Sequence, residues 1–429
     1  MTNNTAIRSI VARQLVDCKC RPMLEVDVIT EGGAVGRGSS PTGSSVGSHE
    51  AFVMRDNDPR EYDGLSVHKA VQIVQDVIGP ALKGMDVMDQ RALDQKLLEL
   101  DPSPEKSRLG GNSIYSTSIA CARAAAARRG MPLYLSLAET RGGLKHLPVP
   151  TFNMVNGGRY YDHTMPFNEF IVAPYRADSI EDAVESGIRV FKKLSSVIEH
   201  HQKGLPAGCG GSFGYIAPGE DPAYVLGLIW EAIEACGCQD KMALALDCAS
   251  SEMYDKQSRT YYWQGGRISS DELIGHAEDL TRRFPLLFIE DLLDEDDWDG
   301  FVRAKQVLTR TNLIGDDFIV TNVDRLQKAY DLHAIDGFVL KPNQVGTISE
   351  AIDTFSFAEG HNMLSIPSGR SGGVVGDVIM DFAVGLGVKL LKNGAPRSGE
   401  RIDKLNFLLR VASQHPEADR LVAASLSRF

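Results

Sequence analysis

The chain of 429 residues is short of positive charge, because 45 lysines and arginines stand against 57 aspartates and glutamates, for a net charge of −12. Nucleic-acid binding needs a basic face for phosphate contacts, so this balance argues against a generic nucleic-acid-binding protein. An acidic protein can still bind an anion where metal ions reverse the local charge. We therefore expect a small-molecule partner and no nucleic acid.

Long apolar runs are also missing. No stretch of about 18 uncharged apolar residues occurs, and the polar start MTNNTAIRS lacks the hydrophobic segment of a signal peptide. We expect no membrane partner and a cytoplasmic location.

The seven cysteines are an odd number, and the pairs Cys18/Cys20 and Cys236/Cys238 lack partners at zinc-site spacing. Reduced, mostly inert thiols are expected.

Residues 1–142 are predicted to form an α+β capping domain. Short alternating strands are predicted at 7–29 and 51–55. Residues 31–50 between them contain six glycines, which predicts irregular structure such as a lid or binding loop. From Ser66 the pattern becomes helical, and the last helical segment ends at Gly130 and Pro132. Strands followed by helices indicate an α+β unit.

Residues 143–429 are predicted to form an α/β barrel. Helical stretches, one of them with Ser179 as its candidate N-cap, alternate with short apolar runs that indicate buried parallel strands. The runs are EFIVAP, MALALD, LLFIED, LIGDD, GFVLK, NMLSIP and VKLLK. From Glu290 onward, charged strand ends recur at intervals of about 25 residues or twice that. In an (α/β)8 barrel these ends meet at one mouth, and the G-x-G-x-x-G fingerprint of a dinucleotide-binding sheet is absent.

Three of the charged strand ends are carboxylates, namely Asp247, Glu290 and Asp316. Oxygen ligands without histidine or cysteine are the set that a hard cation prefers, so Mg²⁺ is favoured over Zn²⁺. Each carboxylate alone could equally be a helix cap or a loop ion pair. Three in phase at strand ends predict a metal site.

Two further strand ends are lysines, Lys341 and Lys392, which are costly to bury without a charge partner or a function. Close to Mg²⁺ the pKa of Lys341 should fall, so that its amine serves as a general base. Lys392 is expected to stay charged and to neutralise a substrate carboxylate. The pair indicates proton abstraction α to a carboxylate, with the metal stabilising the enolate. Arg370 and Ser371, in the glycine-rich turn that begins near Ser368, predict a phosphate cradle.

Long motifs occur in a characteristic order along nearly the whole chain: GMDVMDQRALDQKLLELD, VPTFNMVNGG, LALDCASSEMYD, IEDLLDEDDWDGF, GDDFIVTN, LKPNQVGTISEA and RSGERIDKLNFLLR. In these motifs the chain resembles the enolase (phosphopyruvate hydratase) family. The resemblance implies an α+β N-terminal domain, an eight-stranded α/β barrel, an Mg²⁺ requirement, and a homodimer or larger assembly.

The resemblance also implies a role for each matching residue. It assigns the metal ligands Asp247, Glu290 and Asp316, the catalytic base Lys341, the substrate-carboxylate lysine Lys392, the phosphate-binding pair Arg370 and Ser371, Glu169 near the leaving hydroxyl, and Thr42 as a hydroxyl ligand of a second Mg²⁺.

The match fails in one half of the site. The family's general-acid glutamate lies in a G-D-E-G-G segment, and here Ser212 and Phe213 stand in place of the Asp-Glu pair. Tyr160 replaces a histidine, and Gly369 and Gly373 replace a second histidine and a glutamate. Positioned acid catalysis contributes about 10² to 10⁴ in rate. The enolate-forming residues are kept, the usual means of expelling hydroxide is lost, and the extra glycines are expected to leave room for a larger substrate.

Three functions are compatible with this pattern. The first is a specialised paralogue acting on a 2-phosphoglycerate analogue, phosphorylated or phosphonylated; the family includes a carboxyphosphonoenolpyruvate synthase of phosphonate biosynthesis. The second is an ordinary phosphopyruvate hydratase whose acid comes from Glu169, Tyr160 or a shifted loop. The third is a non-catalytic binding protein, against which the retained strand-end charges argue.

Overall fold

The computed structural model describes residues 4–43, 47–160, 165–216 and 218–429. Its first part contains strands β1 (Ile7–Val16), β2 (Pro22–Thr30) and β3 (Val35–Ser39), and helices α1 (His68–Ile73), α2 (Gly79–Leu82), α3 (Gln90–Leu100), α4 (Gly111–Arg128) and α5 (Leu133–Glu139). A π-helical turn, Val74–Ile78, joins α1 to α2. The predicted helical segments therefore form, and α4 begins earlier than its predicted start.

The second part contains strands β4 (Val149–Asn156), β5 (Glu169–Ala173), β6 (Tyr215–Ile216), β7 (Ala243–Asp247), β8 (Tyr254–Asp255), β9 (Thr260–Trp263), β10 (Gly266–Ile268), β11 (Leu286–Glu290), β12 (Asn312–Gly315), β13 (Gly337–Leu340), β14 (Leu364–Pro367) and β15 (Leu390–Lys392). Its helices are α6 (Ile180–His201), α7 (Pro222–Ala235), α8 (Ser270–Arg283), α9 (Trp298–Val307), α10 (Val323–Asp331), α11 (Pro342–Val345), α12 (Ile348–Gly360), α13 (Ile379–Gly385) and α14 (Gly399–Gln414). The Ser179 side chain caps α6, as predicted, by accepting a hydrogen bond from Asp182 N.

An antiparallel sheet in the order β1-β2-β3 packs against α4. Strand β3 lies inside the glycine-rich stretch, so the prediction of irregular structure there is wrong for residues 35–39. The reason is close packing on α4: a Cβ on Gly36 would lie 2.0 Å from Ala120 O, and one on Gly38 would lie 2.0 Å from Ser116 O. These glycines bring a strand and a helix together. Residues 44–46 of the stretch lie outside the described residues.

The strand predicted at 51–55 is also wrong. Ala51 N donates to Gln344 O at 2.7 Å, and Phe52 N donates to Glu105 O at 2.6 Å. The backbone of this segment is therefore bound by loops of both parts of the chain instead of by a neighbouring strand. Its alternating pattern reflects one-sided burial without a strand partner.

We expect Gly38→Ala to lower the free energy of unfolding by about 1–3 kcal/mol, because the new methyl group would overpack against the backbone of α4. Chemical denaturation of the two proteins measures the difference. Gly227→Ala is the matched control, since Gly227 is within α7 and a Cβ there meets nothing within 4 Å. That change should stabilise by about 0.5–1 kcal/mol. An equal effect of both substitutions would contradict the packing explanation.

In the described residues, eight strands close into a barrel in the order β14-β13-β12-β11-β7-β5-β4-β15. A parallel bridge between Ser368 and Lys392 joins the two ends of this order. Apolar side chains such as Ile171, Ala245 and Phe288 fill the interior, and a larger apolar core lies between the strands and the surrounding helices. This is the predicted (α/β)8 barrel.

Strand β5 runs antiparallel to both of its neighbours, β4 and β7. The prediction of a parallel strand at EFIVAP is therefore wrong. The reversal has a structural result: Glu169, the first residue of β5, pairs with Asn156 at the end of β4 and with Asp247 at the end of β7. A residue at the start of its strand thus reaches the same mouth as residues at the ends of the others.

The other predicted strands all form, and β4 is an addition, because its residues are not among the predicted strands. The domain boundary between residues 142 and 143 stays a prediction. All seven cysteines are free thiols, and in the described part of the chain none belongs to a candidate metal cluster. No helix among the described residues is long and apolar enough to cross a membrane.

Candidate active site

A cavity at the barrel mouth is lined mainly by polar and charged side chains from many strand ends. Its predicted members are Tyr160, Glu169, Asp247, Asp316, Lys341, Ser368, Arg370, Ser371 and Lys392. Members that the site predictions did not include are Asn153, Asp291, Asp317, Arg401 and Lys404. The strand ends therefore meet at one site, with cations and carboxylates interleaved.

Lys392 lies between two of the predicted metal ligands. Its Nζ is 3.0 Å from Asp247 Oδ2 and 2.5 Å from Glu290 Oε2. Burial disfavours the charged ammonium, but Asp247 and Glu290 more than offset this and hold the pKa of Lys392 well above its usual value. Lys392 is therefore a permanent cation, as the substrate-carboxylate role requires.

Lys341 follows β13 and forms an ion pair with Asp316. Burial lowers the pKa of Lys341, but Asp316 raises it by more, so that the pKa lies above its usual value. The predicted fall of this pKa therefore does not come from the protein groups alone. A cation bound by Asp316 would weaken the hold of this carboxylate on the ammonium and would lower the pKa of Lys341.

The carboxylates fit a hard cation. Glu290 Oε1 is buried and has no hydrogen-bond partner in the described structure, which leaves a ligand oxygen to be satisfied. Burial, with Asp247 next, raises the pKa of Glu290 well above its usual value, and a divalent ion would favour its charged form. Asp247, Glu290 and Asp316 remain the proposed ligand set, with Asp316 also accepting from Gln344 Nε2 at 2.9 Å.

A second group of acids overlaps this set: oxygens of Asp291, Asp316 and Asp317 lie within 4.8 Å of one another. Asp291 accepts the backbone N–H groups of Asp316 and Asp317, each at 2.8 Å. Burial and the neighbouring Asp316 raise the pKa of Asp291 to about 7. Asp291 and Asp317 each directly follow a charged strand end in the sequence. This position is the signal by which they could have been predicted as members of the site.

The structure does not place the Thr42 hydroxyl with the carboxylates. Thr42 Oγ1 donates to Asp17, and the Thr42 backbone pairs with Gly372. Arg21 binds the same Asp17 and also donates to Thr42 O at 3.1 Å. Gly43 lines the cavity and Thr42 does not, so a role of Thr42 in metal binding stays a prediction without support from this geometry.

Arg370 and Ser371 line the cavity beside the end of β14. The Arg370 guanidinium is buried and donates to Glu50 at 2.8 and 3.2 Å. Burial lowers the pKa of Arg370, and Glu50 more than offsets this, so that the cation is permanent. Ser368 donates its hydroxyl to Gly369 O at 3.0 Å. Arg370 is thus held in place by Glu50 from the N-terminal part of the chain, and its phosphate-binding role stays a prediction.

The expected extra room at two glycines is absent. A Cβ on Gly369 would lie 2.7 Å from Lys404 Nζ, and one on Gly373 would lie 2.8 Å from Glu400 Oε1. The space that a histidine and a glutamate would use is taken by two side chains of α14. The prediction of a roomier site is therefore wrong at these positions, where Gly369 lies against a cation and Gly373 against a carboxylate.

Glu169 is a buried carboxyl group that lines the cavity. Its Oε1 accepts hydrogen bonds from Asn153 Nδ2 and Ser212 Oγ, both at 3.0 Å. Burial raises its pKa, although Lys392 opposes the shift. Ser212 is in turn bound by Arg401, which donates to Ser212 O at 2.6 Å. Ser212 therefore positions Glu169 instead of supplying an acid.

Phe213 does not line the cavity. It adopts a φ of 65° and lies under the Arg401 guanidinium, which is 5.0 Å from the ring centroid. Tyr160 does line the cavity, and Lys19 Nζ is 5.4 Å from the centroid of its ring. Burial raises the pKa of the Tyr160 phenol, so that it stays protonated. This half of the site contains the phenol of Tyr160 where the resemblance expects a histidine, and Ser212 and Phe213 beside Arg401 where it expects an acidic pair.

Comparison with known proteins agrees with this architecture. The family described as "Enolase, N-terminal domain" matches residues 7–137, and the family described as "Enolase, C-terminal TIM barrel domain" matches residues 144–425. An enolase of Methanopyrus kandleri is 38% identical over 408 residues, which cover 94% of this chain and 95% of the relative. The chain therefore belongs to the enolase family, with its N-terminal domain and α/β barrel, and is a carbon–oxygen lyase of the hydro-lyase type.

Proposed function

We propose that this enzyme removes a proton α to the carboxylate of a 2-phosphoglycerate analogue that carries a carboxyphosphono or related phosphonate group, and forms an enolpyruvate product. The observation that carries the proposal is a site whose two halves differ. Lys341, Lys392 and their carboxylates form a complete enolate-forming half, while Ser212 and Phe213 stand where the family has its acidic pair.

The enolate half supports each step by position. Lys392 would bind the substrate carboxylate, since it is a buried cation at the mouth. Lys341, across the cavity mouth, would accept the α-proton on Nζ once its ion pair with Asp316 is shared. Mg²⁺ held by Asp247, Glu290 and Asp316 would supply positive charge to stabilise the dianionic enolate.

In the part of the chain that the structure describes, Glu169 is the carboxyl group that the leaving-group half contributes to the cavity. Its Oε1 is held by Asn153 and Ser212, which leaves Oε2 to the cavity. A raised pKa favours the protonated form of Glu169, which could donate its proton to the departing β-hydroxyl, so that water leaves. Tyr160 lies on the same side and would bind the leaving or phosphorus-bearing group.

An ordinary 2-phosphoglycerate dehydratase is the alternative. The 38% identity to the Methanopyrus kandleri enolase favours it, and Glu169 would then be the replacement acid. The replaced residues favour the phosphonate substrate, because loss of a positioned acid costs about 10² to 10⁴ in rate on the ordinary substrate. The homodimeric or larger assembly, the cytoplasmic location and the choice of Mg²⁺ as the metal stay predictions.

Solvent exchange in D₂O tests the proposal. The enzyme is incubated with Mg²⁺ and either 2-phosphoglycerate or analogues substituted at phosphorus, and NMR follows both deuterium at the α-carbon and loss of water. We expect exchange on 2-phosphoglycerate without dehydration, and both reactions on a phosphorus-substituted analogue. A chelator should stop both reactions. Rapid conversion of 2-phosphoglycerate to phosphoenolpyruvate would instead establish the ordinary activity.

A further inference from the structure

Lys404 is a buried cation that the roles described above do not use. It lies on α14, is 3% exposed, and lines the cavity. Its Nζ makes no hydrogen bond and no ion pair with any residue that the structure describes, although the atom has access to the cavity. Every other lysine at the mouth has a carboxylate partner.

The acids near Lys404 are engaged elsewhere or too distant to pair with it. Asp377 accepts from Ile379 N at 3.1 Å through Oδ1, while its Oδ2 is buried without a partner. Glu400 accepts from Ser398 Oγ at 2.7 Å and from Arg401 Nε at 3.2 Å. A desolvated ammonium without an acceptor is costly. Burial accordingly lowers the pKa of Lys404, and Asp377 and Glu400 only partly oppose this.

The ammonium lies at the phosphorus end of the site. A Cβ on Gly369 would be 2.7 Å from Lys404 Nζ, and Gly369 directly precedes the proposed phosphate-binding pair Arg370 and Ser371. No side chain at position 369 separates Lys404 from this pair. A group bound by Arg370, whose guanidinium is anchored by Glu50, would therefore share the cavity with Lys404.

We propose that Lys404 binds an additional anionic group, a carboxylate attached to phosphorus, on a substrate whose phosphono group is held by Arg370 and Ser371. This inference deepens the proposed function and rests on it for the identity of the substrate. A carboxylate at this position would accept the hydrogen bonds that Lys404 Nζ does not make within the protein. Specificity would then come from a cation that a plain phosphate ester leaves unsatisfied.

The competing explanation is a purely structural lysine that balances Asp377 and Glu400 through space. It predicts a loss of stability when Lys404 is replaced and no change in ligand preference. The test therefore measures the preference of the protein between two ligands, of which one carries the extra carboxylate and the other does not.

Phosphonoformate has a carboxylate on phosphorus, and methylphosphonate has a methyl group in its place. Calorimetric titration of the full-length protein at fixed free Mg²⁺ compares the two. We expect the unmodified protein to prefer phosphonoformate by about 10- to 100-fold, the usual range for one charge-assisted hydrogen-bonded contact. Lys404→Met should reduce the preference below about twofold, whereas Lys404→Arg should keep most of it.

The control is Lys83→Met, which removes the same charge at an exposed position remote from the barrel mouth and should leave the preference intact. If Lys404→Met does not fold, Lys404→Gln provides the same comparison. Equal binding of the two probes by the unmodified protein, or a preference that survives loss of the charge, overturns the inference. Exchange in D₂O is scored separately, so a failed proposed function and a failed Lys404 site give different results.

Discussion

Replacing Lys341 with alanine should lower the rate of α-proton exchange by about 10² to 10⁴, the usual contribution of a positioned general base. Lys341 lines the mouth with its side chain 11% exposed, and its ammonium is held by Asp316. The measurement is deuterium incorporation at the α-carbon in D₂O with saturating Mg²⁺. The dissociation constant of the substrate should change much less, because the substrate carboxylate is assigned to Lys392.

Lys83→Ala is the control for this experiment, since Lys83 is an exposed lysine of the N-terminal part. It should exchange at the unmodified rate. If the Lys341→Ala protein folds, binds Mg²⁺ and still exchanges at that rate, another base acts in this site. The assignment of Lys341 would then be wrong even though the family is correct.

The double substitution Ser212→Asp, Phe213→Glu should give the enzyme a dehydration activity on 2-phosphoglycerate that is about 10² to 10⁴ higher than its own. The new carboxylates would lie next to Arg401, whose guanidinium already donates to Ser212 O at 2.6 Å and lies 5.0 Å from the centre of the Phe213 ring. The Arg401 guanidinium would orient the new carboxyl groups by donating hydrogen bonds to them. Phosphorus NMR of the appearing phosphoenolpyruvate measures the rate.

Ser212→Ala, Phe213→Leu is the matched control: it changes both positions without adding an acid, and it should give no gain. A double variant that folds and exchanges the α-proton but dehydrates no faster would show that the lost acidic pair does not explain the expected loss of activity. The replacement acid, Glu169 or Tyr160, would then be sufficient on the ordinary substrate.

Much of the site was predictable from charges at the ends of apolar runs. Asp247, Asp316, Lys341 and Lys392 all line the mouth, and Glu290 is buried directly beneath Lys392. The physical reason is the cost of desolvating a charge, which makes such residues rare unless they have partners or a function. Their spacing then predicts the barrel, because only a closed sheet brings all strand ends to one place.

Other features leave no such signal. The reversed strand β5 is five residues long and mainly apolar, as are β7 and β11, so its direction is set by the connections and not by its own residues. Gly36 and Gly38 indicate a loop by composition, and only the position of α4 explains them. The face that a helix presents to a site is also fixed by tertiary packing, which is why Arg401 and Lys404 were not predicted.

The reversed strand also bears on how this enzyme could diverge. Residues 149–216 include β4, β5 and β6, which hydrogen-bond to one another, and this one segment contributes Asn153, Tyr160, Glu169 and Ser212 to the cavity. The metal carboxylates and both strand-end lysines come from later βα units. Proton removal and group departure are therefore encoded in separate stretches of the gene, and a single replaced stretch could change the departing group while the enolate chemistry is inherited intact.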